Sequence, residues 1–357
     1  MAENRKKLSL FERFPDLEGN IPWIKLSTLN TPVKKLNNLE KRLKINSLWV
    51  KCDDKTSPQY GGNKVRKFEF VLADAVNKGF KKVLTAGGIG SNHCVANALF
   101  CNQLKIKPMA FLIDQPVTSY VRNNLLLDLY FKNEIIYSKD QKSLPKNEEI
   151  YYMPPGASNP LGTLGFVNAM LELKDQINSG ELSEPHHIFV ACGSSGTTAG
   201  LILGANIAQL KTKIHSVQTS TPNYSSLIVI KKIAKQTREL MAKYDKNLPE
   251  LSFENLIFNK NYFGGIYGIP TKEGLESIKI AKEVENIKLE PTYTGKAFAA
   301  LLGFVRENKE EIKDKTILFW NTYNSRDFSD ILIKMDYRSL PKELHWVFEK
   351  PLPENFP

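Results

Sequence analysis

The sequence has no apolar run approaching the ~18 residues that a membrane span requires, so a membrane partner is not expected. Its four cysteines, Cys52, Cys94, Cys101 and Cys192, include no CxxC pair. That argues against a zinc ribbon or a disulfide frame and for reduced thiols in a cytoplasmic protein. Met1 to Pro22 is charged and lacks the apolar core of a secretory signal. There is no internal repeat, and no histidine pair at metal-ligand spacing accompanies His93. The formal charge is +11, yet no arginine–aromatic repeat of the RNA-binding kind accompanies it. Lysines and acids are interspersed throughout, including near Arg5-Lys6-Lys7 and Lys41-Arg42-Leu43-Lys44. The excess therefore reads as a solvated lysine-rich surface with a modest pull on small anions, and no nucleic-acid partner is expected.

What is present is a chain of 357 residues with 42% apolar content, enough for two domains or one large α/β domain. After a polar, partly irregular lead-in over 1–20, short buried strands alternate with helical stretches. Strands are expected at 47–52, 82–86, 109–113, 134–137, 150–153, 187–191, 214–218 and 316–320. Helices are expected from Lys64 to Gly79, after Ser91, and at 123–130, 163–178, 201–210, 225–244, 272–284 and 297–306. Residues 337–357 read as a polar, proline-rich tail. Alternation of this kind implies mostly parallel sheets. Residues 154–162, rich in turn formers, suit a crossing between domains or a loop over a site.

Three stretches carry chemistry. In Tyr60-Gly61-Gly62-Asn63-Lys64-Val65-Arg66-Lys67, two glycines let the backbone lie against a flat ligand. Lys64 follows at a loop-to-helix junction, near the positive end of a helix. The basic pair Arg66 and Lys67 could depress its pKa, one route to a nucleophilic amine; the alternative is a solvated lysine at a helix start. Gly193-Ser194-Ser195-Gly196-Thr197-Thr198 follows a strand and opens a helix, so backbone N–H groups and hydroxyls converge as an anion cup. It is neither a Walker loop nor GxGxxG; a phosphate monoester held without a metal fits it, the alternative being an ordinary Ser/Thr-capped helix. Gly87-Gly88-Ile89-Gly90-Ser91-Asn92 is a second strand-to-helix glycine loop, suited to capping a helix through Ser91 and Asn92 or to holding a carboxylate. Taken alone, His93 is a wall residue. A lysine, a phosphate cup and a carboxylate cup together suggest pyridoxal 5'-phosphate, its aldehyde on Lys64 and its phosphate at 194–198.

The order of Gly-Gly-Asn-Lys-x-Arg-Lys, Gly-Ser-Asn-His, Gly-Ser-Ser-Gly-Thr-Thr, Tyr-Gly-Ile-Pro and Pro-Thr-Tyr-Thr-Gly-Lys resembles the fold-type II pyridoxal-phosphate enzymes. Within them the chain resembles the 1-aminocyclopropane-1-carboxylate deaminase/D-cysteine desulfhydrase family over about residues 25–325. The resemblance implies a two-domain α/β fold like that of the tryptophan synthase β-subunit. Its parts would be a large cofactor domain of residues 1–63 plus 173–357 and a small inserted Rossmann-like domain of 64–172, with the cofactor in the cleft. It implies a homodimer acting on a small amino-acid substrate.

The resemblance also implies roles. Lys64 would be the Schiff-base lysine and the proton shuttle at Cα. Asn92 would bond the cofactor's ring hydroxyl oxygen. Ser91 and His93 would hold the substrate carboxylate. Lys67 and Ser194, Ser195, Gly196, Thr197 and Thr198 would bind the phosphate. Tyr267 and Tyr293 would face the substrate. Thr294 stands where the deaminase branch has a glutamate beside the pyridine nitrogen, and Thr322 where that branch has leucine. Both look like the desulfhydrase branch. A hydroxyl favours a neutral ring, which suffices to expel a thiolate but serves a cyclopropane less well. After Thr322 the family usually continues Gly-Gly-Ala-Pro, whereas this chain has Tyr323-Asn324-Ser325-Arg326, which would narrow or re-aim the pocket. The reaction so implied is β-elimination from a D-amino acid, most simply D-cysteine. The alternatives are ring-opening deamination, D-serine dehydration, or cofactor binding without turnover.

Overall fold

The structure is a computed structural model that describes residues 7–139, 144 and 147–352. Among them, ten strands run in chain order. They are β1 (Val33–Lys35), β2 (Leu48–Lys51), β3 (Lys82–Gly88), β4 (Lys107–Ile113), β5 (Glu134–Tyr137), β6 (Ile150–Tyr152), β7 (His187–Cys192), β8 (Lys213–Gln218), β9 (Leu256–Asn259) and β10 (Ile317–Trp320). They form a six-stranded sheet, ordered β1-β2-β10-β7-β8-β9, and a four-stranded sheet, ordered β5-β4-β3-β6. Every pairing is parallel except β1 with β2. The α/β class with mostly parallel sheets is thus as the alternation implied.

The larger sheet is buried on both faces, as helical crossovers require of parallel strands. On β7, Ile188, Val190 and Cys192 face one core, where they join Leu201 and Ile202 of the helix Gly196–Ile207 and Phe166 and Met170 of the helix Pro160–Asn178. Phe189 and Ala191 face the other, with Phe298, Leu301 and Val305 of the helix Thr294–Glu307. The smaller sheet packs Val83 against Val65, Phe68 and Leu72 of the helix Asn63–Asn77. On the same face Ala110 and Leu112 of β4 meet Val121 and Leu125 of the helix Ser119–Tyr130, while Leu84, Met109 and Phe111 point to the other side.

A buried ionic cluster joins these layers. Lys51 on β2 and Arg66 both pair with Glu172, at 2.5 and 3.0 Å, and Arg66 pairs with Asp53 at 2.7 Å. Trp320 Nε1 donates to Asp53 from β10. Each ion has an opposite partner, the condition under which buried charge is tolerated.

Some sequence expectations need correction. The lead-in is not merely polar: Ser9–Arg13 is a helix, and Leu10 and Leu17 are buried in the main core. Residues 1–6 lie outside the described residues, as does 353–357 of the expected tail. The rest of that tail is not merely polar, because Leu340, Leu344 and Val347 pack on the smaller unit. The helix expected at 201–210 begins at Gly196 and ends at Ile207, and that expected at 297–306 begins at Thr294. In both, small hydroxyl residues that read as loop form the first helical turn. The strand β9 had no counterpart in the sequence reading.

Candidate active site

Strands β3, β7 and β10 end on one side of their sheets, and the loops that leave them converge with the turn before Asn63. Ligands of open parallel sheets bind at such carboxyl ends. A cavity of about 410 Å³ opens there between the two sheets. Lys64, Ser91, Asn92 and His93 line it from the smaller unit's side. Ser194, Ser195, Thr197, Thr198, Tyr267, Tyr293, Thr294 and Thr322 line it from the other. Lys67 and Gly196 stand directly behind the wall rather than in it.

Gly62 has φ 94°, and a Cβ there would lie 2.7 Å from the Thr322 carbonyl oxygen, so only glycine lets the turn press against the β10 loop. This contact delivers Lys64 to the cavity. Its Nζ donates to Asn63 Oδ1 at 2.8 Å. The side chain keeps some exposure toward the cavity, yet burial lowers its pKa to about 8, with Glu290 acting in the opposite sense. The expected contribution of the basic pair is not the cause. Arg66 is neutralised by Asp53 and Glu172, and desolvation does the work instead.

The anion cup is built as the glycine–hydroxyl pattern requires. Ser195 adopts φ 66° as the residue before the helix, and the first helical N–H groups have no partner within the helix. Ser195 Oγ turns away to donate to the Tyr224 carbonyl at 2.6 Å, and Thr198 Oγ1 meets Ser216 Oγ at 3.0 Å. Thr197 Oγ1 accepts from Asn63 Nδ2 at 3.0 Å, which leaves its own proton for a ligand. Ser194 Oγ meets Ser158 Oγ at 2.8 Å. Behind the cup, Lys67 Nζ donates to the Gly156 carbonyl and to Ser158 Oγ, both at 3.1 Å. A Cβ on Gly196 would come within 3.0 Å of that ammonium. Lys67 is 1% exposed and has no carboxylate partner among the described residues. Burial, reinforced by Lys64, pushes its pKa well down.

At the second loop, Ser91 Oγ caps the helix Asn92–Gln103 by accepting from Cys94 N. Asn92 does not cap: its Oδ1 accepts from Asn124 Nδ2 at 2.9 Å. Thr85 Oγ1 donates to the Met153 carbonyl, so its lone pair faces His93 Nε2 at 2.7 Å and that nitrogen carries the proton. His93 Nδ1 is buried without a partner. Burial, aided by Lys64 and Lys67, keeps the ring neutral. His93 therefore offers the cavity no positive charge for a carboxylate.

Across the cavity the hydroxyls of Tyr267 and Tyr293 lie 2.5 Å apart. Lys296 anchors the loop carrying Tyr267 by donating to the Phe263 carbonyl at 2.6 Å. Among the lining residues to which sequence reasoning gave no role of their own are Glu290, Tyr60 and Asn63, while Asn324 entered it only as a residue that would narrow the pocket. Glu290 carries the one carboxylate on the wall among the described residues. It is committed to the following helix start, accepting from the backbone N–H groups of Thr292, Tyr293 and Thr294, each at 2.8 Å. The Thr294 hydroxyl bonds the same carboxylate. Tyr60 donates to the Asn92 carbonyl at 3.2 Å, and Asn324 Oδ1 accepts from Gly61 N at 2.8 Å. Asn63 ties Lys64 to Thr197. A polar side chain inside a glycine turn was the available signal for Asn63; nothing local marks Glu290.

The chemistry of these donors fits pyridoxal phosphate: an uncompensated buried ammonium and free helix N–H groups for a dianion, and a depressed amine for an aldehyde. The family model described as "Pyridoxal-phosphate dependent enzyme" matches residues 24–322, and the chain belongs to that family. Within it, the chain stands with the 1-aminocyclopropane-1-carboxylate deaminase/D-cysteine desulfhydrase group. A Thermotoga maritima protein named "Putative 1-aminocyclopropane-1-carboxylate deaminase" is 34% identical over 84% of this chain and 95% of its own. A Klebsiella pneumoniae "D-cysteine desulfhydrase" is 32% identical over 87% of this chain and 94% of its own. A crystal structure titled as that of "the ACC deaminase homologue" superposes with a TM-score of 0.74 at 27% identity, covering 92% of this chain and 99% of that one. The protein is a pyridoxal-phosphate-dependent lyase with the fold-type II architecture.

Proposed function

We propose that this protein eliminates the β-substituent of a D-amino acid, most simply converting D-cysteine and water to pyruvate, sulfide and ammonia. The observation that carries this reading is the state of the one carboxylate on the cavity wall among the described residues. Glu290 is spent on capping a helix, and the Thr294 hydroxyl is turned back onto it, accepting from its N–H and donating to its carboxylate; beside the expected ring nitrogen Thr294 and Thr322 thus offer no carboxylate, only the Thr322 hydroxyl. A cofactor without a carboxylate at that nitrogen is a weaker electron sink, which suits a good leaving group better than a strained carbon ring.

Pyridoxal phosphate would supply the aldehyde that captures the substrate amine and the conjugated ring that withdraws electrons from Cα. The chain's own residues do the rest. Lys64 holds the cofactor and, released from it, takes the Cα proton with an amine already near neutrality. Lys67, Gly196, Thr197 and Thr198 hold the phosphate, with Ser194 and Ser195 shaping the cup. Ser91 and the backbone around it meet the substrate carboxylate, and Asn92 donates toward the ring oxygen. Tyr267 and Tyr293 face the β-substituent, where a phenol can pass a proton to a departing group.

The same reading places the protein in the cytoplasm as a homodimer, on the family's behalf. Among the described residues no helix is long and apolar enough to cross a membrane. It takes the smaller unit to begin at Lys64. Because the helix Pro160–Asn178 packs on the larger sheet, we draw the unit's end near residue 159 rather than inside that helix at 172.

The purified protein should show a visible cofactor band and release pyruvate and sulfide from D-cysteine. Ammonia and 2-oxobutyrate from 1-aminocyclopropane-1-carboxylate instead would move the substrate to the deaminase branch. A band with no product from D-cysteine, D-serine or the cyclopropane would favour cofactor binding without turnover, a reading motivated by Tyr323 and Asn324 in the cavity wall.

A further inference from the structure

The hydrogen bonds around Asn92 determine which end of its amide faces the cavity. Asn124, on the helix Ser119–Tyr130, places Nδ2 at 2.8 Å from the Gly90 carbonyl and 2.9 Å from Asn92 Oδ1. A carbonyl only accepts, so the atom of Asn124 that faces Gly90 must be its amide nitrogen. That nitrogen only donates, so the atom of Asn92 that it meets must be the amide oxygen. The NH₂ group of Asn92 makes no bond among the described residues, and Asn92 lines the cavity. Turning the Asn92 amide over would set two NH₂ groups against each other. Asn124 is 9% exposed, so water has little room to relieve that clash.

We infer that Asn124 is a positioning residue: by bridging Gly90 and Asn92 it holds the Asn92 amide with its donor, not its acceptor, toward an anionic ring oxygen of the cofactor. The inference rests on the reading that Asn92 meets that oxygen. A donor stabilises an oxygen anion, whereas an amide oxygen in the same place repels it. The one side chain also ties the loop backbone at Gly90 to the helix start at Asn92. The loop that would take the substrate carboxylate and the group that would take the ring oxygen are thereby fixed together. Tyr60 holds the Asn92 carbonyl from the other side.

The test is a double-mutant cycle read by cofactor affinity, from fluorescence quenching as pyridoxal phosphate is added to cofactor-free protein, and by the pH dependence of the visible band. Thermal melts of each cofactor-free variant establish that it is folded. Asn92→Ala should weaken binding about tenfold and shift the band's titration. Asn124→Ala and Asn124→Asp should do the same, with Asn124→Gln, which keeps the NH₂ group, closer to the parent. The Asn92→Ala/Asn124→Ala double variant should lose no more than Asn92→Ala, because Asn124 acts through Asn92. If Asn92→Ala shifts affinity and band but the Asn124 variants do not, or if the two losses multiply, the positioning role is overturned while the reading of Asn92 stands. If Asn92→Ala changes neither, the reading of Asn92 fails and the inference fails with it.

Discussion

Tyr293 and Tyr267 share one short hydrogen bond, 2.5 Å between hydroxyl oxygens, with their rings meeting edge to face at 6.1 Å. Burial raises both phenols. Tyr267 reaches only about 12 because the bond to Tyr293 lowers it, while the same bond pushes Tyr293 further up. One phenol donates to the other and the acceptor keeps its own proton for the cavity; Tyr267, the more acidic of the two, is the one we take to pass it on. Tyr267→Phe should lower kcat by about 10²-fold and Tyr293→Phe by about tenfold. The double variant should be no worse than Tyr267→Phe, because the two act in series. Losses that multiply would assign the phenols separate roles.

Lys64 should behave as an unusually acidic amine. With a pKa near 8, about a tenth of it is neutral at pH 7, against on the order of one in a few thousand for an ordinary lysine. The rate at which cofactor-free protein captures pyridoxal phosphate, read by the growth of the visible band, should rise with pH and level off above about 8. A rate still climbing at pH 10 would mean an unperturbed amine. Lys64→Ala should give no band.

The stretches legible in the sequence were those whose signal is local. Gly61-Gly62-Asn63-Lys64 announced itself because a turn needing positive φ selects glycine, and the cup at 193–198 because glycines and hydroxyls cluster at a strand end. The helix starts at Gly196 and Thr294 were missed because Ser, Thr and Gly read as loop even when they form a first turn. Lys51 and Glu172 were invisible. They lie 121 residues apart in the chain, and a charged residue reads as surface until the fold supplies its partner. Glu290 is a similar case: its capping bonds follow from the backbone turn, not from any motif. The cause proposed for the acidity of Lys64 failed for Arg66 because a sequence neighbour need not be a spatial one. Arg66 points away into the ionic cluster.

Lys67 is held in place for a ligand at a cost to the free protein. Its ammonium is buried, donates to a carbonyl and a hydroxyl and lies 5.9 Å from the centre of the Phe166 ring, with no carboxylate partner among the described residues. Replacing it with methionine should weaken pyridoxal phosphate binding by about tenfold to a hundredfold, the value of a charge-assisted hydrogen bond. The same change should raise the melting temperature of the cofactor-free protein by a few degrees, since a buried amine without a carboxylate partner among the described residues is removed. A variant that binds normally would show that the phosphate is held by the helix start alone.

Glu172 lies at the centre of the cluster that seats the Lys64 helix. It accepts from Lys51 Nζ, from Arg66 Nη1 and Nη2, and from the backbone N–H of Thr31. Burial alone would raise its pKa, but Arg66 and then Lys51 outweigh that and hold it down at about 2, against an ordinary 4.5. A carboxylate depressed on folding contributes stability that is present above its unfolded pKa and lost as pH falls through the folded value. Urea unfolding should therefore show stability declining from about pH 4.5 toward 2. Glu172→Gln keeps the volume but leaves Lys51 and Arg66 facing an amide. It should cost about 3–5 kcal/mol at neutral pH, the price of breaking one member of a buried ion cluster. In the same variant the acid-side slope should shrink, because the group that titrates there is gone. A variant as stable as the parent at pH 7, with the slope unchanged, would mean that the cluster neither seats the helix nor carries the acid sensitivity.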